Sequence, residues 1–176
     1  SGTASLGLDA EGNFTALWVD ARIDAGAYLS RRTKGLLNNM GGVAGQYKTP
    51  AIATQMSFFF TNTMQTSPYR GFGRPEATYV IERLIDQAAR ETGRDALALR
   101  QQNLVTPEAM PYQTALTFLY DCGDFPKIVA AAAKNADYAG FAARRKASEA
   151  RGMLRGIGIS NPIEVAGGPL KQVRKD

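Results

Sequence analysis

A chain of 176 residues with 44% hydrophobic and 21% charged residues is long and apolar enough for one globular domain, and it does not indicate disorder, collagen-like repeats or coiled coil. The sequence has no histidine and a single cysteine, Cys122, which excludes a zinc site of histidine and cysteine ligands, a histidine-based catalytic triad and an internal disulfide. The net charge of +5 comes from the end of the chain, because residues 1–138 carry 13 basic and 13 acidic side chains whereas residues 139–176 carry 8 and 3.

The first thirty residues alternate apolar and polar positions, which predicts a β-hairpin. Its strands are TASLGLD and FTALWVDARID, and its turn contains Gly12 and Asn13. The stretch from Arg31 to Gln46 has no sustained period and is predicted to be a long connection with at most one helical turn. A third strand, rich in aromatic residues, is predicted to follow Pro50 and to end near Asn62.

The second half of the chain has helical periodicity. Apolar side chains recur at i, i+3, i+4, i+7, i+8 and i+11 from Ala77 to Ala88, which predicts a helix from Pro75 to Glu91 that ends at Gly93. Asp95 and Asp124 are suited to cap two further helices, ALALRQQN and a segment that ends near Ala136. A fourth helix is predicted from about residue 141 to residue 151.

Strands that precede a run of helices predict an α+β fold, with a mostly antiparallel sheet and helices packed on one side. The segment LRGIGIS again has the composition of a strand. We therefore divide the chain into residues 1–152, the α+β segment, and residues 153–176, a strand and linker. No run reaches the roughly 18 apolar residues of a membrane span, and the N-terminus lacks a secretory signal pattern.

One peptide, SPYRGFGRPEATYVIERL, carries candidate chemistry immediately before the strongest helix. A helix N-terminus has backbone N–H groups without helical partners, Gly71 and Gly73 permit a tight turn, and Arg70 and Arg74 add positive charge. These features predict an anion site, in which Phe72 presents its ring to a flat substrate. The alternative is a surface turn that enters a helix, with Phe72 as part of the core.

The same peptide resembles the molybdenum-cofactor-binding large subunit of the molybdenum hydroxylases, the family of xanthine dehydrogenase, aldehyde oxidase and carbon monoxide dehydrogenase. The resemblance extends from about Ala4 through PYRGFGRPEATYVIERLIDQAARETG, LRQQNLV, AMPYQT and YDCGDF to LRGIGISNPIEVAGGP, and RGFGRPEA is its most specific part. It implies a segment of the molybdopterin-binding domain, internal to a longer subunit.

The resemblance also implies residue roles. Tyr69, Arg70, Gly71 and Gly73 are implied to lie at the cofactor, with the backbone of Arg70 near molybdenum, and Phe72 is implied to pack against substrate. Asn38 is also implied to contact substrate, at the position where purine-specific members carry an arginine nine residues before the Tyr of Tyr-Lys-x-Pro.

Three departures from the family pattern narrow the expected chemistry. Gly71 stands where carbon monoxide dehydrogenases place the cysteine that holds copper, which argues against that chemistry. Asn38 argues against a purine and favours an aldehyde or another N-heterocycle. Glu164 does not match the motif of the family's catalytic glutamate and is predicted to be structural or at the surface, so we assign no catalytic residue to this chain and expect it to be inactive alone.

The implied whole protein is an oxidoreductase that hydroxylates an aldehyde or N-heterocycle C–H bond with water-derived oxygen. Its implied cofactors are the molybdenum-pterin cofactor and, on partner subunits or domains, iron–sulfur clusters and FAD. Its implied partners are the remainder of the large subunit and a small-molecule substrate, not a membrane, and we expect a cytoplasmic location with a periplasmic one left open. Two alternatives are a non-catalytic scaffold or subunit-contact domain, and a basic nucleic-acid-binding module that uses the tail from Arg144 onward.

Overall fold

The chain forms a three-stranded sheet followed by helices, in a computed structural model that describes residues 1–29 and 40–164. Strands β1 (Gly2–Leu8) and β2 (Phe14–Gly26) form the predicted hairpin, and β3 (Ala51–Phe60) pairs with the other edge of β2. A five-residue 3-10 helix, Met40–Ala44, lies in the predicted connection. The α+β prediction is confirmed.

The sheet is mixed rather than mostly antiparallel. β1 runs antiparallel to β2, with Leu6 opposite Leu17, whereas β3 runs parallel to β2, with Ile52 opposite Leu17. A parallel neighbour needs a crossover connection, and the long stretch between β2 and β3 supplies one. Alternation of apolar and polar residues predicts that a segment is a strand, but it does not indicate the direction of the neighbouring strand. The parallel pairing could therefore not be predicted from the sequence.

Four α-helices occur in the described residues. They are α1 (Arg74–Thr92), α2 (Ala96–Asn103), α3 (Phe125–Asn135) and α4 (Phe141–Glu149). The Asp95 carboxylate accepts the N–H groups of Leu97 and Ala98, and Asp124 accepts that of Lys127, so both predicted caps are confirmed. None of these helices is long and apolar enough to cross a membrane.

The core lies between one face of the sheet and α1. Leu17 and Val19 of β2 are buried against the same apolar cluster as Ile81 and Ile85 of α1, while Trp18 on the opposite face of β2 stays 43% exposed. The predicted apolar stripe of α1 is therefore core, and each such buried side chain contributes about 1.5–3 kcal/mol. A short hairpin, β4 (Tyr112–Gln113) with β5 (Leu119–Tyr120), follows α2 and was not predicted.

The predicted strand LRGIGIS is wrong. Residues 153–164 have no regular secondary structure, and the rest of the predicted linker, residues 165–176, lies outside the described residues. A strand needs a neighbouring strand to pair with, which apolar composition alone does not supply, and Leu154 and Ile157 of this segment are exposed. Further along, the backbone carbonyls of Ile159, Pro162 and Ile163 accept from side chains of other parts of the chain.

Candidate functional site

The peptide between β3 and α1 closes in a tight turn at the predicted residues. The N–H of Phe72 donates to the carbonyl of Tyr69 at 3.0 Å, and the N–H of Arg74 donates to that of Gly71, also at 3.0 Å. Gly71 has φ +89°, and a Cβ there would lie 3.1 Å from the Pro75 ring. Glycine is therefore required for this turn, as predicted. We call residues Tyr69–Gly73 the loop.

The chain that leads into the loop is held on β2 by Asp24. Its Oδ1 accepts from the Gly26 N–H at 2.7 Å and from Thr61 Oγ1 at 2.6 Å, and its Oδ2 accepts from Thr63 Oγ1 at 3.1 Å. The hydrogen bond from Thr61, followed by that from Gly26, lowers the pKa of Asp24 below its usual value. The two threonine hydrogen bonds to this carboxylate thus tie the chain that follows β3 to the end of β2.

The loop opens onto a cleft of about 350 Å³ between the end of β2 and the start of α1. Tyr69 is 87% exposed, Arg70 is exposed, and Phe72 is half-buried. The structure therefore brings three predicted site residues to one surface, and it places Gly71 on the exposed part of the same turn. The cleft is lined by Ile23, Asp24, Thr66, Ser67, Tyr69, Arg70, Phe72, Pro75 and Glu76.

Gly73 does not offer its backbone N–H to a ligand. It is buried, and its N–H donates to Glu76 Oε2 at 2.9 Å. Glu76 is the third residue of α1, the position from which a carboxylate reaches back to the residue before a helix. The N–H groups of Phe72 and Arg74 are also occupied, so the predicted cradle of free backbone donors is wrong at these three positions. The Gly-x-x-Glu spacing in the sequence was the signal that could have shown this.

Arg74 does not add charge to the cleft either. Its Nε lies 2.8 Å from Glu164 Oε1, its Nη1 donates to the carbonyl of Ile163 at 3.1 Å, and its guanidinium lies 5.2 Å from the ring centroid of Phe118. The prediction that both arginines face one anion is therefore wrong for Arg74. The expectation that Glu164 is structural or lies at the surface agrees with its ion pair to Arg74 and with a side chain that is 69% exposed.

The remaining candidates are distant from the loop in sequence or lie outside the described residues. Asn38 falls in the range that the structure does not describe. Cys122 is exposed, and hydrogen bonding with Asp121 raises the pKa of its thiol. Within residues 1–29 and 40–164 there is no group of three acidic or cysteine side chains placed to hold a metal ion.

The described part of the basic tail is largely occupied by partners within the chain. Arg144 pairs with Asp137, Arg145 pairs with Glu149, and Arg155 Nε donates to Ser148 Oγ at 2.9 Å. The two carboxylate partners reduce the positive charge available to phosphates, whereas the bond to Ser148 leaves the charge of Arg155 unchanged. This pairing does not favour the nucleic-acid alternative.

Residues 1–104 match the family model of the molybdopterin cofactor-binding domain. The chain belongs to this family. The match confirms the predicted molybdopterin cofactor at the level of the family, and with the relatives below it confirms the resemblance to large subunits of molybdenum hydroxylases.

Curated relatives match nearly the whole chain. It is 31% identical over 169 residues to the 6-hydroxypseudooxynicotine dehydrogenase complex subunit gamma of Paenarthrobacter nicotinovorans, covering 92% of this chain and 21% of that protein. It is also 31% identical over 180 residues to the carbon monoxide dehydrogenase large chain of Afipia carboxidovorans, covering 96% and 22%. The chain thus spans about a fifth of the length of these relatives.

Solved structures give the same family. Quinoline 2-oxidoreductase from Pseudomonas putida 86 superposes with a TM-score of 0.78 at 28% identity, covering 86% of this chain and 20% of that one. The fold of this chain is therefore that of a segment within a much longer oxidoreductase chain of known structure.

The exposed part of the loop fits one wall of a cofactor or substrate site, and the buried part does not. Tyr69, Arg70 and Gly71 present a phenol, a guanidinium and accessible backbone, which are groups able to form hydrogen bonds with polar atoms of a bound cofactor. Gly73 lies beneath them with its N–H already bonded to Glu76. Of the four residues predicted at the cofactor, three keep a geometry compatible with that role.

Proposed function

We propose that this chain forms one wall of the molybdenum-pterin site in a larger oxidoreductase subunit. The observation that carries the proposal is that Tyr69, Arg70 and Phe72 line a single cleft on a turn fixed from both sides. When bound, the cofactor supplies the oxidation of a substrate C–H bond with water-derived oxygen and accepts the electrons. Membership in the molybdopterin cofactor-binding domain family supports this role.

Within that site, this chain's residues bind and orient. The Arg70 guanidinium is exposed at the cleft and can donate hydrogen bonds to anionic or carbonyl oxygens of cofactor or substrate. The ring of Phe72, half-buried behind it, offers an apolar face to a flat ring. A guanidinium and a phenyl ring do not act as bases, so we propose that the base is supplied by another residue of the subunit.

We propose an aldehyde or an N-heterocycle as the substrate class. Two relatives have names that refer to nitrogen-containing ring compounds, 6-hydroxypseudooxynicotine dehydrogenase and quinoline 2-oxidoreductase. Gly71 has no side chain that could hold copper, which supports chemistry other than carbon monoxide oxidation. Iron–sulfur and FAD partners and a cytoplasmic location complete the proposal, and the 176-residue chain alone should be inactive.

The test uses the complete enzyme that contains this chain. Phe72→Ala and Arg70→Gln are compared with Tyr79→Ala, which removes an aromatic ring 68% exposed on α1 that does not line the cleft. Molybdenum and pterin content are measured beside kcat and KM on an N-heterocycle and an aromatic aldehyde. We expect Phe72→Ala to lower kcat/KM about 10- to 100-fold at unchanged molybdenum content, since misplaced substrate costs that much.

Equal loss of molybdenum and activity in Phe72→Ala would contradict the substrate role of this ring. Unaltered kinetics and unaltered molybdenum in both variants would favour the scaffold alternative, in which the exposed arginine meets another subunit. Activity of the isolated 176-residue chain with added cofactor would contradict the expectation that it is inactive alone.

A further inference from the structure

An irregular segment, Ile159–Glu164, is held by side chains of α1, of α2 and of the residues that follow the 3-10 helix. We call it the strap. Its burial alternates, because Asn161 is buried and the residues two positions on either side are half-buried, while those between are exposed. Asn161 Nδ2 donates to Tyr47 Oη at 3.1 Å, and three strap carbonyls accept from Arg100, Gln46 and Arg74.

The strap ends at the start of α1, directly beside the loop. Arg74 is the first residue of α1 and follows Gly73 in the chain. Its side chain, 10% exposed, binds the strap at two points, the carboxylate of Glu164 and the carbonyl of Ile163. On its other side the guanidinium packs over the Phe118 ring. Arg74 is therefore fixed between the strap and the β4–β5 hairpin.

The backbone of Arg74 is part of the turn that shapes the loop. Its N–H donates to the carbonyl of Gly71, and one residue separates it from Phe72. A displacement of Arg74 therefore changes the turn from which Phe72 and Arg70 face the cleft. Within the loop, the bonds from Phe72 to Tyr69 and from Gly73 to Glu76 also hold the turn.

We propose that Arg74 is a positioning residue, and that the strap, through Arg74, sets the direction in which Phe72 meets the substrate. The inference rests on the proposed function of the loop. Arginine suits the task because its planar fork binds a carboxylate and a carbonyl together while its face stacks on a ring. Lysine has one ammonium group on a flexible stem and does not reproduce this arrangement.

The experiment uses the complete enzyme with Arg74→Gln, Arg74→Lys and Glu164→Gln. The matched control is Arg145→Gln, which breaks an exposed ion pair on α4. We measure kcat and KM on the substrate used for Phe72→Ala, molybdenum per subunit, and hydrogen exchange of the peptide that contains residues 69–73. If the enzyme with Arg74→Gln does not accumulate in cells, Glu164→Gln still tests the inference, because it changes the carboxylate that Arg74 binds.

We expect Arg74→Gln to raise KM and lower kcat/KM about 10-fold or more at wild-type molybdenum content, with faster exchange in the loop. Arg74→Lys should show a smaller change of the same kind. Glu164→Gln should also raise KM, by a smaller factor. Arg145→Gln should leave all three readouts unchanged. Lost activity fully explained by lost molybdenum, with normal kinetics of the loaded enzyme, would overturn the inference.

The outcomes separate this inference from the proposed function. If Phe72→Ala changes KM but the Arg74 and Glu164 variants change neither kinetics nor exchange, the positioning role is wrong and the site stands. A second outcome is that the Arg74 variants speed hydrogen exchange in the loop, while neither they nor Phe72→Ala alter kcat or KM. The strap would then fix the loop, but the proposed site would be wrong, and the positioning role would be wrong as well.

Discussion

Arg100 and Glu82 form an ion pair that is almost completely withdrawn from solvent. Arg100 Nε lies 2.8 Å from Glu82 Oε2, and the exposed fractions of the two residues are 0% and 5%. Burial acts to lower the pKa of Arg100, but attraction to Glu82 and a hydrogen bond with it raise that pKa above its usual value. The guanidinium of Arg100 also donates hydrogen bonds to Asp86 on α1 and to the carbonyl of Ala96. Arg100 thus joins α2 to α1 through charge.

Arg100→Met should therefore destabilise the chain strongly. Removal of the cation leaves Glu82 as a buried, uncompensated charge, and breaking such a pair costs about 3–5 kcal/mol. Urea denaturation of the 176-residue chain measures the loss. The double variant Arg100→Met/Glu82→Gln should recover part of it, and Glu91→Gln, on an exposed position of α1, should stay within about 0.5 kcal/mol of wild type. A double variant no more stable than Arg100→Met would contradict this explanation.

The buried hydroxyl of Tyr47 is expected to make the free energy of unfolding fall at alkaline pH. Burial, followed by the negative charge of Glu82, raises its pKa above the usual value of about 10. The folded state therefore keeps a proton that the unfolded state loses, so the stabilisation is complete below about pH 10 and is lost as the pH rises further, by about 1.4 kcal/mol per pH unit.

Tyr47→Phe removes that titration. Its free energy of unfolding should fall less steeply above about pH 10 than that of wild type, although it starts lower by about 1–3 kcal/mol at neutral pH because Glu82 and Asn161 lose a buried partner. Denaturation curves from pH 8 to pH 11 give both quantities. Tyr79→Phe, at an exposed position, is the control, and parallel curves for Tyr47→Phe and wild type would contradict the prediction.

Asn103 connects α2 to the β1–β2 turn. Its Oδ1 accepts the Phe14 N–H at 2.8 Å, and its Nδ2 donates to the carbonyls of Gly12 and Leu99. Asn103→Ala leaves the buried Phe14 N–H without a partner, so we expect a loss of about 1–3 kcal/mol in urea denaturation. Gln102→Ala removes the neighbouring exposed contacts to the same turn and should cost much less. Equal losses would mean that burial is not the cause.

Gly71→Ala should disturb the loop by two means. Alanine at φ +89° costs about 1–2 kcal/mol in backbone strain, and its Cβ also contacts the Pro75 ring. Gly152→Ala is the matched control, because Gly152 has φ +71° but open space around its Cα. Hydrogen exchange of residues 69–73 should rise in Gly71→Ala alone. Similar exchange of residues 69–73 in both variants would contradict the prediction that alanine at position 71 disturbs the loop.

The sequence predicted those elements whose determinants are local. The stripe from Ala77 to Ala88 requires only the helical period, and each of Asp95 and Asp124 caps N–H groups within three residues of itself. The loop could likewise be located, since glycine readily adopts the positive φ that a tight turn before a helix requires.

Contacts distant in sequence could not be predicted in the same way. Arg74 lies 89 residues from its partner Ile163, and no periodicity links the two positions. The sequence therefore indicates an anion at the loop as the partner of this side chain, whereas its partner in the structure is the strap. The parallel pairing of β3 depends in the same way on how the chain crosses over between residues 27 and 50.

The strap is recognised largely through its main chain. Three side chains, those of Arg100, Gln46 and Arg74, bind backbone carbonyl groups of the strap, and every amino acid has such a group. The path of the strap therefore depends more on the residues that bind it than on its own amino-acid sequence. Substitutions at exposed strap positions such as Ser160 and Pro162 should leave that route intact, whereas the three donor side chains should tolerate little change. Sequence comparison confined to the strap would consequently understate how strongly its path is determined.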